Sequence, residues 1–155
     1  MHVDVIESLD RFRQLRPDWD AVYEADPEAH FFLSWDWMDR ILDYLPNDWR
    51  VLAVSDGGRY VAFFPLRISA YLSKRHQVFC NEVRMAGRTF WSDYTGFICT
   101  PEHEQQAIPA LAAQLKQHRW AELTLENLLL SDRRIDLFMQ AFDSDTFRHW
   151  VQDSE

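Results

Sequence analysis

Cysteine is scarce in this chain: Cys80 and Cys99 are the only two among 155 residues. Two thiols cannot knit a disulfide scaffold, and they read as small buried hydrophobes in a reducing compartment. Neither has a partnered base nearby in sequence, so a thiol nucleophile is not indicated. Metal-ligand spacing is also missing, because the six histidines are scattered and form no His-x-x-x-His or Cys-x-x-Cys pattern. Positive charge is in deficit, with 16 Lys and Arg against 25 Asp and Glu, a net charge of -9. Such a balance disfavours non-specific binding to nucleic acid or an anionic membrane, both of which need a positive field. A local basic patch stays open. No apolar run approaches the ~18 residues of a transmembrane helix. The start, Met-His-Val-Asp-Val-Ile-Glu7, lacks the basic-then-apolar pattern of a secretion signal. A soluble, cytoplasmic protein without a metal is the expectation. Repeats and low-complexity tracts are absent too.

What is present is core material. The chain is 47% hydrophobic and 15% aromatic, enough to bury one domain spanning residues 1–155. His2 to Ile6 alternates as a short strand. Ser8 to Tyr23 has helical character that Pro17 interrupts or restarts. Ser34 suits the N-cap of a helix over Trp35 to Leu45, with Asp36 in its positive first turn and Trp37, Ile41, Tyr44 and Leu45 at helical spacing. Arg50 to Ser55 and Tyr60 to Tyr71 read as a hairpin around Asp56-Gly-Gly58, since glycine accepts the positive φ of a tight turn. Positions 60, 62, 64, 66 and 68 make one apolar face. Pro65, of opposite parity, marks an edge, a bulge or a strand end. Gln77 to Ala86 reads as a third strand. A helical region opens at Thr100 with the stripe Ile108, Leu111, Ala112 and Leu115, and Pro109 predicts a kink or a start close to it. Glu122 to Glu126 alternates as a strand with one solvated face. Ser131 caps a last helix bearing Ile135, Phe138, Met139 and Phe142, and Thr146 to Val151 offers a further strand. This order predicts an α/β (α+β) three-layer domain with helices packed on a sheet.

Four words in that order carry a resemblance: Phe32-Leu-Ser-Trp-Asp-Trp37, Val51-Leu-Ala-Val-Ser-Asp-Gly-Gly58, Val61-Ala-Phe-Phe-Pro-Leu66 and Ser92-Asp-Tyr-Thr-Gly96. Over about residues 8 to 130 the chain resembles the amino-terminal half of CelD-type acetyltransferases. These belong to the GNAT N-acyltransferase superfamily and are relatives of the Fem peptidyltransferases. The resemblance implies a GNAT-like mixed, mostly antiparallel sheet flanked by helices. It implies a protein of two such halves, with acetyl-CoA or another acyl-CoA as co-substrate in the carboxy-terminal half. On that reading this chain is one half, and Phe147 to Glu155 fit a chain cut near a strand.

GNAT enzymes hold the coenzyme A pyrophosphate in an Arg/Gln-x-x-Gly-x-Gly/Ala loop, where backbone N–H groups and a helix amino end face the phosphates. Arg84-Met-Ala-Gly87-Arg88-Thr89 matches the first two fixed positions and fails at Thr89. Bulky rings follow it, not a helix start. Arg84, Gly87 and Arg88 are therefore weak cofactor candidates, and this chain is expected to bind no coenzyme A itself.

For substrate contact the candidates are Asp93, Tyr94, Trp91, Arg67 and Trp35. Asp93 offers a carboxylate to a hydroxyl or amine and Tyr94 a phenol, or else both complete a turn. Trp35, Trp37, Trp91 and Trp120 suit a stacking surface for sugar rings, or the core. Arg67, with Lys74-Arg-His76, suits an anionic group or a solvated edge. Glu122, Glu126 and Asp93 are conceivable general bases, and nothing in the spacing selects one. The leading expectation is an acyltransferase half that shapes the cleft for a small-molecule acceptor, an amine or hydroxyl of a sugar, lipid or cell-envelope precursor. Its partner would be the carboxy-terminal GNAT half or a second copy in a homodimer. The alternatives are a non-catalytic binding or assembly module with a degenerate GNAT fold, and a complete small acetyltransferase that dimerises to build its site.

Overall fold

The computed structural model describes residues 1–45, 48–74, 77–90, 92–128 and 133–150, with Thr89 and Phe90 described by their backbone alone. In chain order the elements are β1 (His2–Ile6), α1 (Leu9–Gln14), α2 (Arg16–Ala25), a 3-10 turn (Phe31–Leu33) and α3 (Trp35–Tyr44). Next come β2 (Trp49–Asp56), β3 (Arg59–Ser73), β4 (Val78–Met85), a second 3-10 turn (Ala86–Phe90) and β5 (Ile98–Cys99). A third 3-10 turn (Pro101–His103), α4 (Glu104–Lys116), β6 (Glu122–Thr124) and α5 (Arg133–Met139) complete them. The sheet runs β1-β2-β3-β4-β6, antiparallel except for the parallel β4–β6 pair, and β5 lies beside β3. Helices cover both faces, giving the three layers that the alternation of strands and helices predicts.

The sheet is buried on both sides because β2 and β3 carry apolar residues at both parities. Val51, Ala53 and Phe63 join α1, α2 and α3 in one core, with Phe12, Trp19 and Met38 fully buried. Leu52, Val54, Phe64 and Leu66 join α4 and α5 in the other, with Ile108, Leu111, Ala112, Leu115 and Phe138 at 0% exposure. Each such ring or aliphatic chain removed from water stabilises the fold by roughly 1.5–3 kcal/mol.

The local sequence signals act as their chemistry requires at several points. Ser8 accepts the Arg11 amide at 3.3 Å and caps α1. Pro17 falls in the first turn of α2, where its missing N–H is an orphan anyway. Gly57 and Gly58 take φ of 56° and 83° in the hairpin.

Elsewhere the structure corrects the sequence reading. A register shift between Val54 and Ser55 puts Tyr60 in the α1–α3 core, off the face shared by Ala62, Phe64 and Leu66. Pro65 lies inside β3, paired with Val51. Thr100 donates to the Val61 carbonyl on the β5 side, and Ile68 donates to Asp48 on the β2 side. Alternation therefore turns the Pro65 nitrogen toward the gap between β5 and β4, where no ladder bond is lost. Pro109 sits within α4, which starts after the turn at Pro101–His103. Ser34 occupies the N-cap position of α3, but its hydroxyl makes no capping bond. The strand expected over Thr146 to Val151 does not form at 147–150, which is irregular, and Val151 lies outside the described residues. So does Ser131, the expected cap of α5, as do Trp91, Arg75 and His76. Among the described residues no helix is long and apolar enough to cross a membrane.

Candidate functional site

The sheet's distinctive feature is a broken strand. β4 pairs with β3 up to Met85 opposite Leu66, and β5 takes over the same edge at Ile98 opposite Phe63. Residues 86–90 and 92–97, between them, lie outside the sheet. β6 runs parallel to β4 as far as Thr124 opposite Arg84 and then departs as well. The two departures open a fork, and the excursion fills it. Ser92 donates its hydroxyl to the Gly87 carbonyl, and Asn127 Nδ2 donates to the Ser92 carbonyl at 2.9 Å. The Thr95 amide donates to the Asn127 carbonyl at 2.9 Å, and its hydroxyl donates to the Glu126 carbonyl. Ser92, Thr95 and Phe97 are 2%, 6% and 1% exposed, so the fork is closed by buried, bonded chain.

Beneath the excursion, α2, β5 and α5 meet at a buried ion pair. Arg134 Nη1 lies 2.8 Å from Asp26 Oδ2, and these side chains are 3% and 0% exposed. The Cys99 amide donates to the same oxygen at 2.9 Å, and the Glu28 amide to Oδ1 at 2.9 Å. The Arg134 guanidinium stacks over Phe97 at 5.7 Å. A small cavity of ≈ 10 Å³ adjoins it, lined in part by His30, Thr95 and Gly96. That volume suits a single water at most.

Along β4 and β6 lies a row of charged side chains. Glu82 and Glu122 are in register on the parallel strands, and Arg67 stands opposite Arg84 on β3 and β4. Each cation has its own carboxylate. Arg67 Nε meets Asp48 at 2.9 Å, Arg84 Nη2 meets Glu82 at 2.6 Å, and Arg88 Nε meets Glu126 at 3.3 Å. The hydrogen bond to Glu82 raises the Arg84 pKa above its ordinary value. Tyr71 donates to Glu122 at 3.5 Å.

These positions sort the sequence candidates. Asp93 and Tyr94 stand exposed at the tip of the excursion, and the Tyr94 ring lies 5.8 Å from His30. Arg84, Arg88 and Glu126 cluster at its base, joined by Arg67 and Glu122 along the row. Trp35 is elsewhere: it is 6% exposed and stacked on Phe12 at 4.5 Å, a core ring. The tryptophan on the surface side of α3 is Trp37, between Phe31 and Phe32 at 5.4 and 5.2 Å. Trp120 donates to the Leu115 carbonyl at 2.9 Å and stacks on Phe147. The sequence reading missed Glu82, whose neighbour Glu122 is brought by parallel pairing that alternation within one strand does not reveal. Cys99 is inert, since burial pushes its thiol up to about 12.

Do these residues fit an acyl-CoA? A pyrophosphate needs unshielded backbone N–H groups at a helix amino end. Gly87 lies inside a 3-10 turn, and among the described residues after it no α-helix begins until Glu104. Arg84 and Arg88 are already neutralised. At α4, where a strand does feed a helix, the turn reads Thr100-Pro-Glu-His-Glu104, with Pro101 lacking an N–H. Glu104 is 4% exposed and bound to Arg133 at 2.7 Å, and Glu102 flanks it. Carboxylates thus occupy the positive end of the helix, Glu104 buried against it and Glu102 exposed beside it, where a polyanion would be repelled. The residues present do not fit the group.

No family model matches the chain, and no curated protein matches it in sequence. Solved structures do match in fold. An aminoglycoside acetyltransferase from an uncultured soil metagenomic sample superposes with a TM-score of 0.58 at 12% identity, over 100% of both chains. A ribosomal-protein-alanine N-acetyltransferase from Brucella melitensis biovar Abortus 2308 gives 0.52 at 12%, over 99% of this chain and 100% of that one. The aminoglycoside 6'-N-acetyltransferase AAC(6')-IG from Acinetobacter haemolyticus gives 0.52 at 10%, over 100% and 99%. At these identities the likeness is one of fold, and the fold is that of the GNAT acetyltransferases.

Proposed function

We propose that this GNAT-fold chain is a domain of an acyl-CoA-dependent acyltransferase, the amino-terminal half of a CelD-type protein, working in the cytoplasm. Its task is to shape the acceptor cleft while another domain carries the acyl donor. One observation supports this division above all. The amino end of α4, where the fold would offer an anion its N–H groups, carries Glu102 and the buried Glu104, which is paired with the exposed Arg133. The closed fork between β4 and β6 agrees with it.

The acceptor on this reading is a small molecule with an amine or hydroxyl, from a sugar, lipid or cell-envelope precursor. Asp93 and Tyr94 are the exposed polar groups that meet it. The carboxylate accepts from an ammonium or hydroxyl, and the phenol donates or accepts. The rigid, buried base of the excursion fixes where both point. The fully paired charges along β4 and β6 favour a second reading, an assembly module that kept the fold without the chemistry.

Two measurements on this chain decide between them. Calorimetry with acetyl-CoA is expected to show no micromolar binding, and micromolar heat would overturn the division of labour. Saturation-transfer NMR with a panel of amino sugars is expected to show contacts that Asp93→Asn and Tyr94→Phe weaken. Silence across the panel, with a protein partner captured in its place, would favour the assembly module.

A further inference from the structure

The exposed side of α3 is unusual for the amount of ring surface it leaves in water. Phe31, Asp36, Trp37, Arg40, Ile41 and Tyr44 line a shallow groove of ≈ 490 Å³. Phe31 is 62% exposed and Tyr44 72%. Contiguous exposed rings rimmed by charge mark an interaction surface, whereas scattered ones need no explanation. These rings brace one another: Trp37 lies 5.4 Å from Phe31 and 5.2 Å from Phe32, with Phe31 and Phe32 5.6 Å apart. The wall is therefore ordered before anything docks, which lowers the entropy cost of docking.

The rim charges say what docks. Arg13 takes Asp39 at 2.8 Å and Asp43 at 3.6 Å, which leaves Arg40 with no ion-pair partner among the described residues. Asp36, one helical turn before Arg40, is 81% exposed and its nearest cation is Arg16 at 3.8 Å. An unpaired cation and an exposed carboxylate at i and i+4, on the rim of one aromatic groove, form a self-complementary pattern. Two such helices laid antiparallel about a two-fold axis set each Arg40 against the other copy's Asp36, and the rings close between them. We propose that this groove is the docking face for a second copy of the chain, α3 against α3, with two reciprocal Arg40–Asp36 pairs.

Analytical ultracentrifugation of the whole chain tests this. A monomer–dimer equilibrium is expected, and Arg40→Glu should weaken it by about tenfold or more, because two attractions become two repulsions. Arg40 is exposed, so circular dichroism should show the variant folded as the parent is. The charge swap Asp36→Arg with Arg40→Glu should recover the parent dissociation constant to within about threefold. A chain that stays monomeric up to about 100 µM would overturn the proposal. So would a dimer that Arg40→Glu leaves unmoved, or a swap that fails to recover assembly. Saturable oleate binding by a monomer, lost in Trp37→Ala, would assign the groove to a small amphiphile and overturn it equally.

Discussion

Replacing Asp26 by alanine should remove a substantial part of the domain's stability. The Asp26 and Arg134 side chains are 0% and 3% exposed and meet at 2.8 Å. The carboxylate also accepts the Cys99 and Glu28 amides, both at 2.9 Å. Removing it leaves a buried guanidinium without the carboxylate that faces it, at a cost of about 3–5 kcal/mol. Domains of this size are stable by about 5–15 kcal/mol, so the loss takes about a fifth or more of the total. Asp26→Asn keeps an oxygen for the amides and should lose less. The double variant Asp26→Leu with Arg134→Met removes both charges and should regain part of the loss, since an apolar pair needs no desolvation while the Cys99 and Glu28 amides still lose their acceptor. Urea unfolding followed by tryptophan fluorescence measures all three. A loss under about 1 kcal/mol for Asp26→Ala, or a double variant no better than the single, would refute the reasoning.

Further outcomes follow from other sites. Cys99 should resist alkylation in the native chain at pH 8 while Cys80, only partly buried, reacts; mass spectrometry of labelled peptides reads this. Because burial raises the Cys99 pKa from 9.0 to about 12, the neutral thiol's contribution is full below 9.0 and fades as pH climbs through that window. The slope is about 1.4 kcal/mol per pH unit, so a Cys99→Ala variant should lose less stability than the parent between pH 9 and 11. Asn127 holds the Ser92 carbonyl at 2.9 Å from a backbone with φ 55°. Asn127→Ala loses that bond and strains the turn, costing about 1–3 kcal/mol. Asn127→Gly should cost less, and amide exchange across 92–97 should quicken in both.

Much of the fold was legible because its signals are local. The Gly57-Gly58 turn, the stripe of α4 and the Pro17 restart of α2 each depend on residues within a few positions. What local signals cannot carry is register between distant strands. The shift that turns Tyr60 inward is set by pairing with Ser55, and the register of Glu82 beside Glu122 by a parallel crossover. The pair Asp26–Arg134 joins residues far apart in the chain and has no sequence signature. Trp35 and Trp37 look alike as letters, and only the helix's rotation decides that the first is core and the second faces the groove. In the candidate site, Asp93 and Tyr94 were readable as exposed loop residues. The break between β4 and β5 that holds them out was not, because β5 is two residues long and exists only through its partner strand.

The central claim is that carboxylates hold the positive end of α4 and leave a diphosphate no grip. Amide-resolved NMR during a coenzyme A titration tests it most directly. The account predicts that the amides of residues 85–90 and 99–105 keep their shifts up to about 1 mM ligand. Saturable, micromolar shifts gathered at either segment would contradict it.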